Sequence, residues 1–334
     1  MRKATETTRP YRDSPFGAPK GLREISPHWA AGVLLGGLGM LAFSGTLPAT
    51  RIAVPFFGPT VLTCSRILIA AGLSAITLLL ISGRCVPRRD QFVGIAWTGI
   101  GIAVGYPLFV ALAVEGVPAS HGAVVIGLTP AATAIFSVLR AGERPPLRFW
   151  LACGTGVLAV GLFALWEGGG RIVPADGWLA AAILSAGIGY VEGGRVSREL
   201  GGTVTLCWAM ILLAPLAGGI LIGAALSRAW SPVPWEAWTG FGYACVISMF
   251  LGSVAWYKGL AAGGIARIGQ INLIQPLCAL IWSALLLGEK VSWPFFATSI
   301  VVLFSMAICL RSRVRVTDRD RRVDAGEQEN AGRP

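Results

Sequence analysis

Charged residues are scarce in this 334-residue sequence. They make up 13% of it, whereas a soluble domain carries about 25%. Hydrophobic residues account for 54% and the mean hydropathy is +0.67. This composition excludes an ordinary soluble protein and indicates a chain that crosses a membrane several times. The net charge of +11 lies mostly in tails and loops, so the expected partner is the lipid bilayer and not nucleic acid.

Groups that carry catalysis or bind metals are also few. The chain has two histidines and seven cysteines, with neither an H-E-x-x-H motif nor a C-x-x-C spacing. It has no G-x-x-x-x-G-K-[ST] loop for nucleotide phosphates and no aspartate pair in any apolar segment. These absences leave an ATP-driven pump without support and disfavour an intramembrane enzyme. We expect no cofactor and no metal.

Apolar segments long enough to cross a membrane occur ten times. Spanning the ~30 Å hydrocarbon layer takes about 20 helical residues, and backbone groups in lipid must be satisfied within the helix. The predicted spans 1 to 10 are Trp29–Thr50, Pro59–Ser82, Phe92–Ala113, Ala119–Arg140, Phe149–Trp166, Gly177–Arg195, Thr203–Leu226, Trp238–Tyr257, Ile268–Gly288 and Trp293–Arg311. We therefore predict an all-α integral membrane protein with ten transmembrane helices.

The distribution of lysine and arginine predicts the orientation. With the N-terminus in the cytoplasm, 23 basic residues fall on the cytoplasmic side and 4 on the outer side. Cytoplasmic loops are the ones enriched in Lys and Arg, so we expect both termini to be cytoplasmic. Residues 1–28 read as a disordered tail, and residues 312–334 as a basic tail.

One motif occurs twice. Leu128–Arg144 reads LTPAATAIFSVLRAGER, and Ile274–Lys290 reads IQPLCALIWSALLLGEK. At a constant offset the copies share Pro130/Pro276, Ile135/Ile281, Ser137/Ser283, Leu139/Leu285, Gly142/Gly288 and Glu143/Glu289. Each proline either interrupts its helix or lies in a first helical turn, where proline is tolerated.

The two copies lie in opposite orientations if the span count holds. Pro130 belongs to span 4 and Pro276 to span 9, and an odd number of crossings reverses direction. The chain is then an inverted five-plus-five repeat, with halves at about residues 29–167 and 177–311. Matched proline-bearing segments in inverted halves are typical of a transporter's central site, and inverted halves suit alternating access.

Glycine is abundant, at 44 residues. Three pairs have the four-residue spacing that allows helices to approach closely: Gly32–Gly36, Gly101–Gly105 and Gly219–Gly223.

With ten spans, an inverted repeat and a fourth helix of the form Pro…Gly-Glu-Arg/Lys in each half, the chain resembles the EamA-type exporters of the drug/metabolite transporter superfamily. Cys64-Ser65-Arg66-Ile67-Leu68 resembles that family's usual arginine in its second helix, whereas span 7 has no matching arginine. The residues that lead into span 4, Ala111-Leu112…Gly116…Pro130, also resemble that family. The resemblance, over about residues 29–311, implies that a small-molecule substrate passes through a central cavity.

Polar and aromatic residues inside the spans are candidates for substrate binding: Arg66, Tyr106, Tyr190, Trp256, Asn272 and Gln275. A charge at mid-bilayer costs about 2.5–3.5 kcal/mol on insertion scales. Arg66 therefore binds substrate, pairs helices, or snorkels to the interface. Asn272 and Gln275 share one helix face before Pro276, which suits cavity lining or interhelical hydrogen bonds. The aromatic residues supply stacking surface or ordinary packing.

Two residues are candidates for proton coupling. Glu192 lies near the inner end of span 6, where the alternative is an interfacial ion pair with Arg195. His121 opens span 4, where it titrates near neutral pH or is simply a solvated or capping residue. We expect Glu143 and Glu289 to be structural residues at helix ends and gate rims.

The sequence thus predicts a secondary transporter in the inner (cytoplasmic) membrane that exports small metabolites, amino acids or drugs by alternating access. The alternatives are an intramembrane enzyme, or a channel or sensor of the same topology. A second copy of the chain, as a homodimer, is a candidate partner.

Overall fold

The computed structural model describes residues 27–81, 86–141, 146–167, 173–263, 271, 274–290 and 293–311. Within these ranges every regular element is helical, which confirms the all-α prediction. Five helical stretches of 22 to 28 residues are long and apolar enough to cross a membrane: Ala30–Phe57, Pro59–Leu80, Arg89–Gly116, Gly202–Leu226 and Trp235–Gly259. Shorter apolar helices are Leu147–Phe163, Gln275–Leu287 and Trp293–Ser305. The protein is therefore a multi-pass membrane protein, and the count of ten spans stays a prediction.

The α-helices of the first predicted half are α1 (Pro27–Ser44), α2 (Thr46–Phe57), α3 (Pro59–Leu80), α4 (Phe92–Thr98), α5 (Tyr106–Gly116), α6 (Ala119–Ile126), α7 (Thr129–Ala141) and α8 (Leu147–Glu167). Those of the second half are α9 (Pro174–Leu200), α10 (Gly202–Leu226), α11 (Trp235–Gly242), α12 (Ser253–Gly263), α13 (Gln275–Leu287) and α14 (Trp293–Arg311). A 3₁₀ turn, Arg89–Gln91, precedes α4.

Most predicted spans coincide with described helices, but span 1 is longer than predicted, span 4 is interrupted, and much of the start of span 9 lies outside the described residues. Span 1 is predicted to end at Thr50, but the helix continues through α2 to Phe57. The predicted end is wrong because apolar residues beyond it, such as Ala53 and Val54, are buried against the core and keep the chain helical. The predicted tails lie outside the described residues, apart from the start of α1 at Pro27.

Span 4 is a broken helix. α6 ends at Ile126 and α7 begins at Thr129, whose hydroxyl donates a hydrogen bond of 2.6 Å to the Ile126 carbonyl. Pro130 is the second residue of α7, and Pro276 is the second residue of α13. Both prolines therefore lie in a first helical turn, where a missing N–H has no cost. In span 4 that turn follows an interruption within the span.

The two copies of the motif meet at these points. A Cβ placed on Gly127, in the break between α6 and α7, would lie 3.5 Å from Cγ of Pro276. The start of α13 therefore packs directly against the break in span 4. The contact joins the two predicted halves at the proline positions that the sequence singled out.

Two helical segments of π type interrupt the spans that precede the repeated motif. The first, π1 (Gly99–Gly105), joins α4 to α5, and the second, π2 (Tyr243–Gly252), joins α11 to α12. They lie in spans 3 and 8, which are equivalent in the predicted repeat. π-Helical segments are rare and frequently occur at functional sites. The sequence analysis predicted ordinary helix in both places.

Glycines permit close contact between spans 3 and 6. A Cβ on Gly101 would lie 2.5 Å from the Ser185 carbonyl oxygen and 2.7 Å from Cα of Gly189. A Cβ placed on Gly259 of α12 would likewise meet backbone atoms of Gly32 and Gly36 in α1, so these two helices pack closely together. By contrast, Gly219 has no atom within 4 Å of such a Cβ among the described residues, and neither does Gly223. That third pair is therefore not a helix contact in the described structure.

Candidate functional site

Arg66 is buried in the helix core. It is the eighth residue of α3, ~10 Å along the helix from Pro59, and only 3% of it is exposed. Its Nε has no hydrogen-bond partner, and no carboxylate within the described ranges forms an ion pair with it. This burial does not fit the snorkelling alternative, in which the guanidinium would reach the surface.

Two residues interact electrostatically with Arg66. They lie in spans 3 and 8, the spans that contain π1 and π2. Arg66 interacts with Tyr106, the residue that directly follows π1, and with Cys245 in π2. Tyr106 also interacts with Tyr190 of α9, which in turn interacts with Tyr257 of α12. We call these five residues the arginine–tyrosine cluster. Five different helical elements supply them.

The cluster connects a buried charge to an accessible surface. Arg66 and Cys245 are buried, Tyr106 and Tyr257 are half-buried, and Tyr190 is 40% exposed. The chain has only five tyrosines, and three of them belong to this cluster. An arginine that interacts with a phenol group can bind an anionic or polar group, and the phenol ring offers a face to the apolar part of such a ligand.

Three of the six predicted substrate-binding residues thus come together: Arg66, Tyr106 and Tyr190. The sequence analysis missed Tyr257 and Cys245. The scarcity of tyrosine could have pointed to Tyr257, because a phenol within an apolar span needs a polar neighbour. Nothing in the sequence distinguishes Cys245, which is 0% exposed, from the other buried cysteines.

The other three predicted residues lie elsewhere. Trp256 packs edge-on against Phe43 of α1, with ring centroids 6.2 Å apart, which is the packing alternative. Gln275 is half-buried in the first turn of α13, next to the break in span 4. Asn272 lies outside the described residues, as does Glu143.

A second polar group lies where span 9 ends and spans 4 and 6 begin. The carboxylate of Glu289 accepts hydrogen bonds from the backbone N–H groups of Ala119 and Ser120, at 2.8 and 2.9 Å. These are the first two residues of α6, so Glu289 caps a helix that belongs to the other predicted half. Carboxylates stabilise helix N-termini through such bonds and through the helix dipole.

His121, the residue after Ser120, is buried, with 1% of it exposed. Its Nε2 lies 2.7 Å from Oδ1 of Asp176, and its ring packs 5.2 Å from that of Phe163. Oδ2 of Asp176 accepts the N–H of Val173 at the start of α9. The interpretation of His121 as a solvated residue is wrong, because the side chain is enclosed by the starts of two helices. We call Ala119, Ser120, His121, Asp176 and Glu289 the capping cluster.

Glu192 forms an ion pair with Arg195, which was the alternative to a role in proton coupling. Nη1 of Arg195 lies 3.1 Å from Oε2 of Glu192, and the two residues are one helical turn apart. The glutamate side chain is 5% exposed and the arginine side chain 60%. Glu192 therefore lies at the rim of the helix bundle with its charge compensated.

The described residues include a cleft but no candidate metal site. In the described part of the chain no group of three or more His, Cys, Asp or Glu residues could hold a metal ion. A cleft of about 350 Å³ lies between the ends of α5 and α9 and contains none of the predicted site residues. It is lined by Leu112, Glu115, Gly116, Val173, Pro174, Ala175 and Trp178.

Replacing Glu289 by alanine should weaken the capping cluster. The substitution leaves two buried N–H groups at the start of α6 without their acceptor, which should destabilise the protein by about 1 kcal/mol, within roughly 0.5–2 kcal/mol. The thermal unfolding midpoint of the purified protein in detergent measures this effect. Glu115→Ala is the matched control, because that exposed carboxylate ends α5, where a negative charge is not stabilised by the helix dipole. Equal midpoints for Glu289→Ala and the control would contradict the capping role.

Comparisons with known proteins agree with this architecture. The model of the EamA-like transporter family matches residues 30–165 and 173–311. The uncharacterized transporter YdeK of Bacillus subtilis (strain 168) is 41% identical over 280 residues, which cover 84% of this chain and 97% of that protein. The uncharacterized transporter sll0355 of Synechocystis is 27% identical over 327 residues, covering 90% of this chain and 92% of that protein.

A solved crystal structure shares the fold, with a TM-score of 0.56 at 19% identity over 84% of this chain and 97% of that one. At this identity the likeness concerns the fold alone. The family match, by contrast, extends over most of the sequence in two ranges. Together with the 41% identity to a relative that the chain covers almost completely, it shows that the protein belongs to the EamA-like transporter family.

Proposed function

We propose that the protein is a secondary transporter that exports small metabolites, amino acids or drugs across the cytoplasmic membrane by alternating access. The arginine–tyrosine cluster is the observation that carries this proposal. A buried arginine without an ionic partner among the described residues interacts electrostatically with Tyr106, which in turn interacts with Tyr190. Unpaired charges inside membrane helices mark substrate or ion pathways.

The proposal includes the predicted topology, with ten spans in two inverted halves and both termini in the cytoplasm. The contact between Gly127 and Pro276 supports it, because binding sites of inverted-repeat transporters lie where the halves meet at interrupted helices. In this orientation the capping cluster lies at the outer face. The cluster then closes the outer entrance in this conformation.

His121 is the candidate for proton coupling that the geometry favours. It forms a buried pair with Asp176, and separation of α6 from α9 would expose the pair to the outer solution. Such exposure would allow the imidazole and the carboxylate to exchange protons with the outer solution. Glu192 is less suited to this role, because Arg195 compensates its charge.

Transport by purified protein in proteoliposomes tests the proposal. Amino acids, organic acids, amines and dyes are screened for uptake, with and without a pH gradient. A carrier should show saturable uptake that is accelerated by unlabelled substrate on the opposite side. Uptake that neither saturates nor responds to substrate across the membrane would identify a channel. Absence of any flux in the full screen would refute the transport function.

A further inference from the structure

The arginine–tyrosine cluster has one charged member, and no acidic residue in the described ranges forms an ion pair with it. Glu192 is the only acidic residue inside the ten predicted spans, and its carboxylate binds Arg195. Asp176 binds His121, and Glu289 caps α6. No described carboxylate therefore compensates the charge of Arg66.

A buried guanidinium without a counter-ion is an unfavourable arrangement in a protein. Desolvation of a charge is offset only by an opposite charge or by a full set of hydrogen bonds. Nε of Arg66 has no acceptor, and the groups in electrostatic contact with the side chain are a phenol and a thiol. The compensating group has to come from outside the described chain.

A second unpaired donor lies one helical turn away. Thr63 is 3% exposed, and its hydroxyl has no hydrogen-bond partner, although a threonine in a helix can usually donate to a carbonyl of the preceding turn. Positions i and i+3 share one helix face, so Thr63 and Arg66 present their unpaired donors on the same side of α3. Two unpaired donors with no acidic acceptor fit an anion better than a cation.

Resting on the proposed transport function, we propose that the substrate is a small organic anion and that Arg66 binds its carboxylate. The planar guanidinium matches a carboxylate with two parallel hydrogen bonds, and the Thr63 hydroxyl and the Tyr106 phenol are further donors. The rings of Tyr190 and Tyr257 offer surface to the apolar part of the molecule. An ammonium group would find no carboxylate among the described members of the cluster, so amines and cationic drugs are excluded as good substrates.

Matched ligands that differ only in charge test this inference. Hippurate carries a carboxylate, hippuramide is its neutral amide, and N-(2-aminoethyl)benzamide is a cation of similar shape. Lactate with lactamide extends the set to a ligand without a ring. Two measurements apply to each ligand: the shift of the thermal unfolding midpoint in detergent, and counterflow in proteoliposomes.

Wild-type protein should be stabilised by the carboxylates and should transport at least one of them, but not the amides or the cation. Arg66→Lys keeps the charge but not the planar fork, and Arg66→Ala removes both. Apparent affinity for the carboxylate should fall roughly 10- to 100-fold in Arg66→Ala, less in Arg66→Lys, and less again in Thr63→Val. Arg89→Ala is the control, because Arg89 is exposed in the loop before α4, and it should behave as wild type.

Three results would overturn the inference: stabilisation of wild type by no carboxylate, equal transport of the amide and the carboxylate, or unchanged affinity in Arg66→Lys and Thr63→Val. If Arg66→Ala fails to fold, the affinities of Arg66→Lys and Thr63→Val still test the inference. Saturable transport of amines or neutral molecules that is independent of Arg66 would refute anion binding while the transport function stands. Failure of the transport function itself would show as the absence of flux in the wider screen of amino acids, organic acids, amines and dyes.

Discussion

A short cross-link between positions 119 and 289 is expected to stop transport completely. Glu289 holds the start of α6 through the N–H groups of Ala119 and Ser120, and the alternating access that we propose would require these helix ends to separate when the outer entrance opens. Cysteines at both positions, Ala119→Cys and Glu289→Cys, in a background without the native cysteines, can be joined by a short bis-methanethiosulfonate reagent. Counterflow in proteoliposomes should fall to background after cross-linking and return after reduction.

The two single-cysteine variants are the controls for this experiment. Each reacts with the reagent at one end only, so neither should lose more than a part of its transport activity. Quantitative cross-linking, verified by mass spectrometry, with unchanged transport would show that the two helix ends stay together throughout the cycle. In that case the capping cluster would be a structural joint, and the outer entrance would lie elsewhere.

The second large effect is expected at the contact between spans 3 and 6. Gly101→Val places a branched side chain where even a Cβ would lie 2.5 Å from the Ser185 carbonyl oxygen and 2.7 Å from the Gly189 backbone. Both neighbours are backbone atoms, which cannot rotate away as a side chain can, so π1 and α9 would have to move apart. Overpacking typically destabilises by about 1–3 kcal/mol, and the valine adds two more carbons to this clash. We expect loss of monodisperse protein in size-exclusion chromatography.

Gly72 provides the matched control within the same membrane domain. It lies in α3 and is exposed, and a Cβ placed on it would have no atom within 4 Å among the described residues. Gly72→Ala should therefore leave the chromatographic profile unchanged and raise helix stability by up to about 1 kcal/mol. A monodisperse Gly101→Val protein with a wild-type unfolding midpoint would mean that spans 3 and 6 do not pack as described.

The sequence predicted the helices well because hydropathy responds to the membrane directly. Segments such as Thr203–Leu226 and Trp293–Arg311 agree with α10 and α14 almost residue for residue. The sequence left open whether Pro130 interrupts span 4, and the structure places it in the first turn of α7, after a break at residues 127–128. For Arg66 the high cost of a charge in lipid restricted the alternatives but did not choose between burial and snorkelling.

What the sequence did not reveal depends on contacts between distant segments. His121 and Asp176 are separated by 55 positions, so nothing near His121 indicates that it is buried with a carboxylate. The segments π1 and π2 have apolar compositions that fit an ordinary helix equally well, and their extra residue is accommodated by packing against neighbouring helices. Tyr257 joins the cluster only through its electrostatic interaction with Tyr190, which lies in a different helix.

Glu289 accepts its hydrogen bonds from main-chain N–H groups, so the contact does not depend on which side chains its partners carry. Every residue except proline offers an N–H, so any side chain that fits the buried space at positions 119 and 120 leaves the glutamate its partners. Correlated substitutions at two positions would give no signal for this contact, because only Glu289 takes part in it through its side chain. The joint between the halves can thus persist through divergence without leaving a paired record in the sequences.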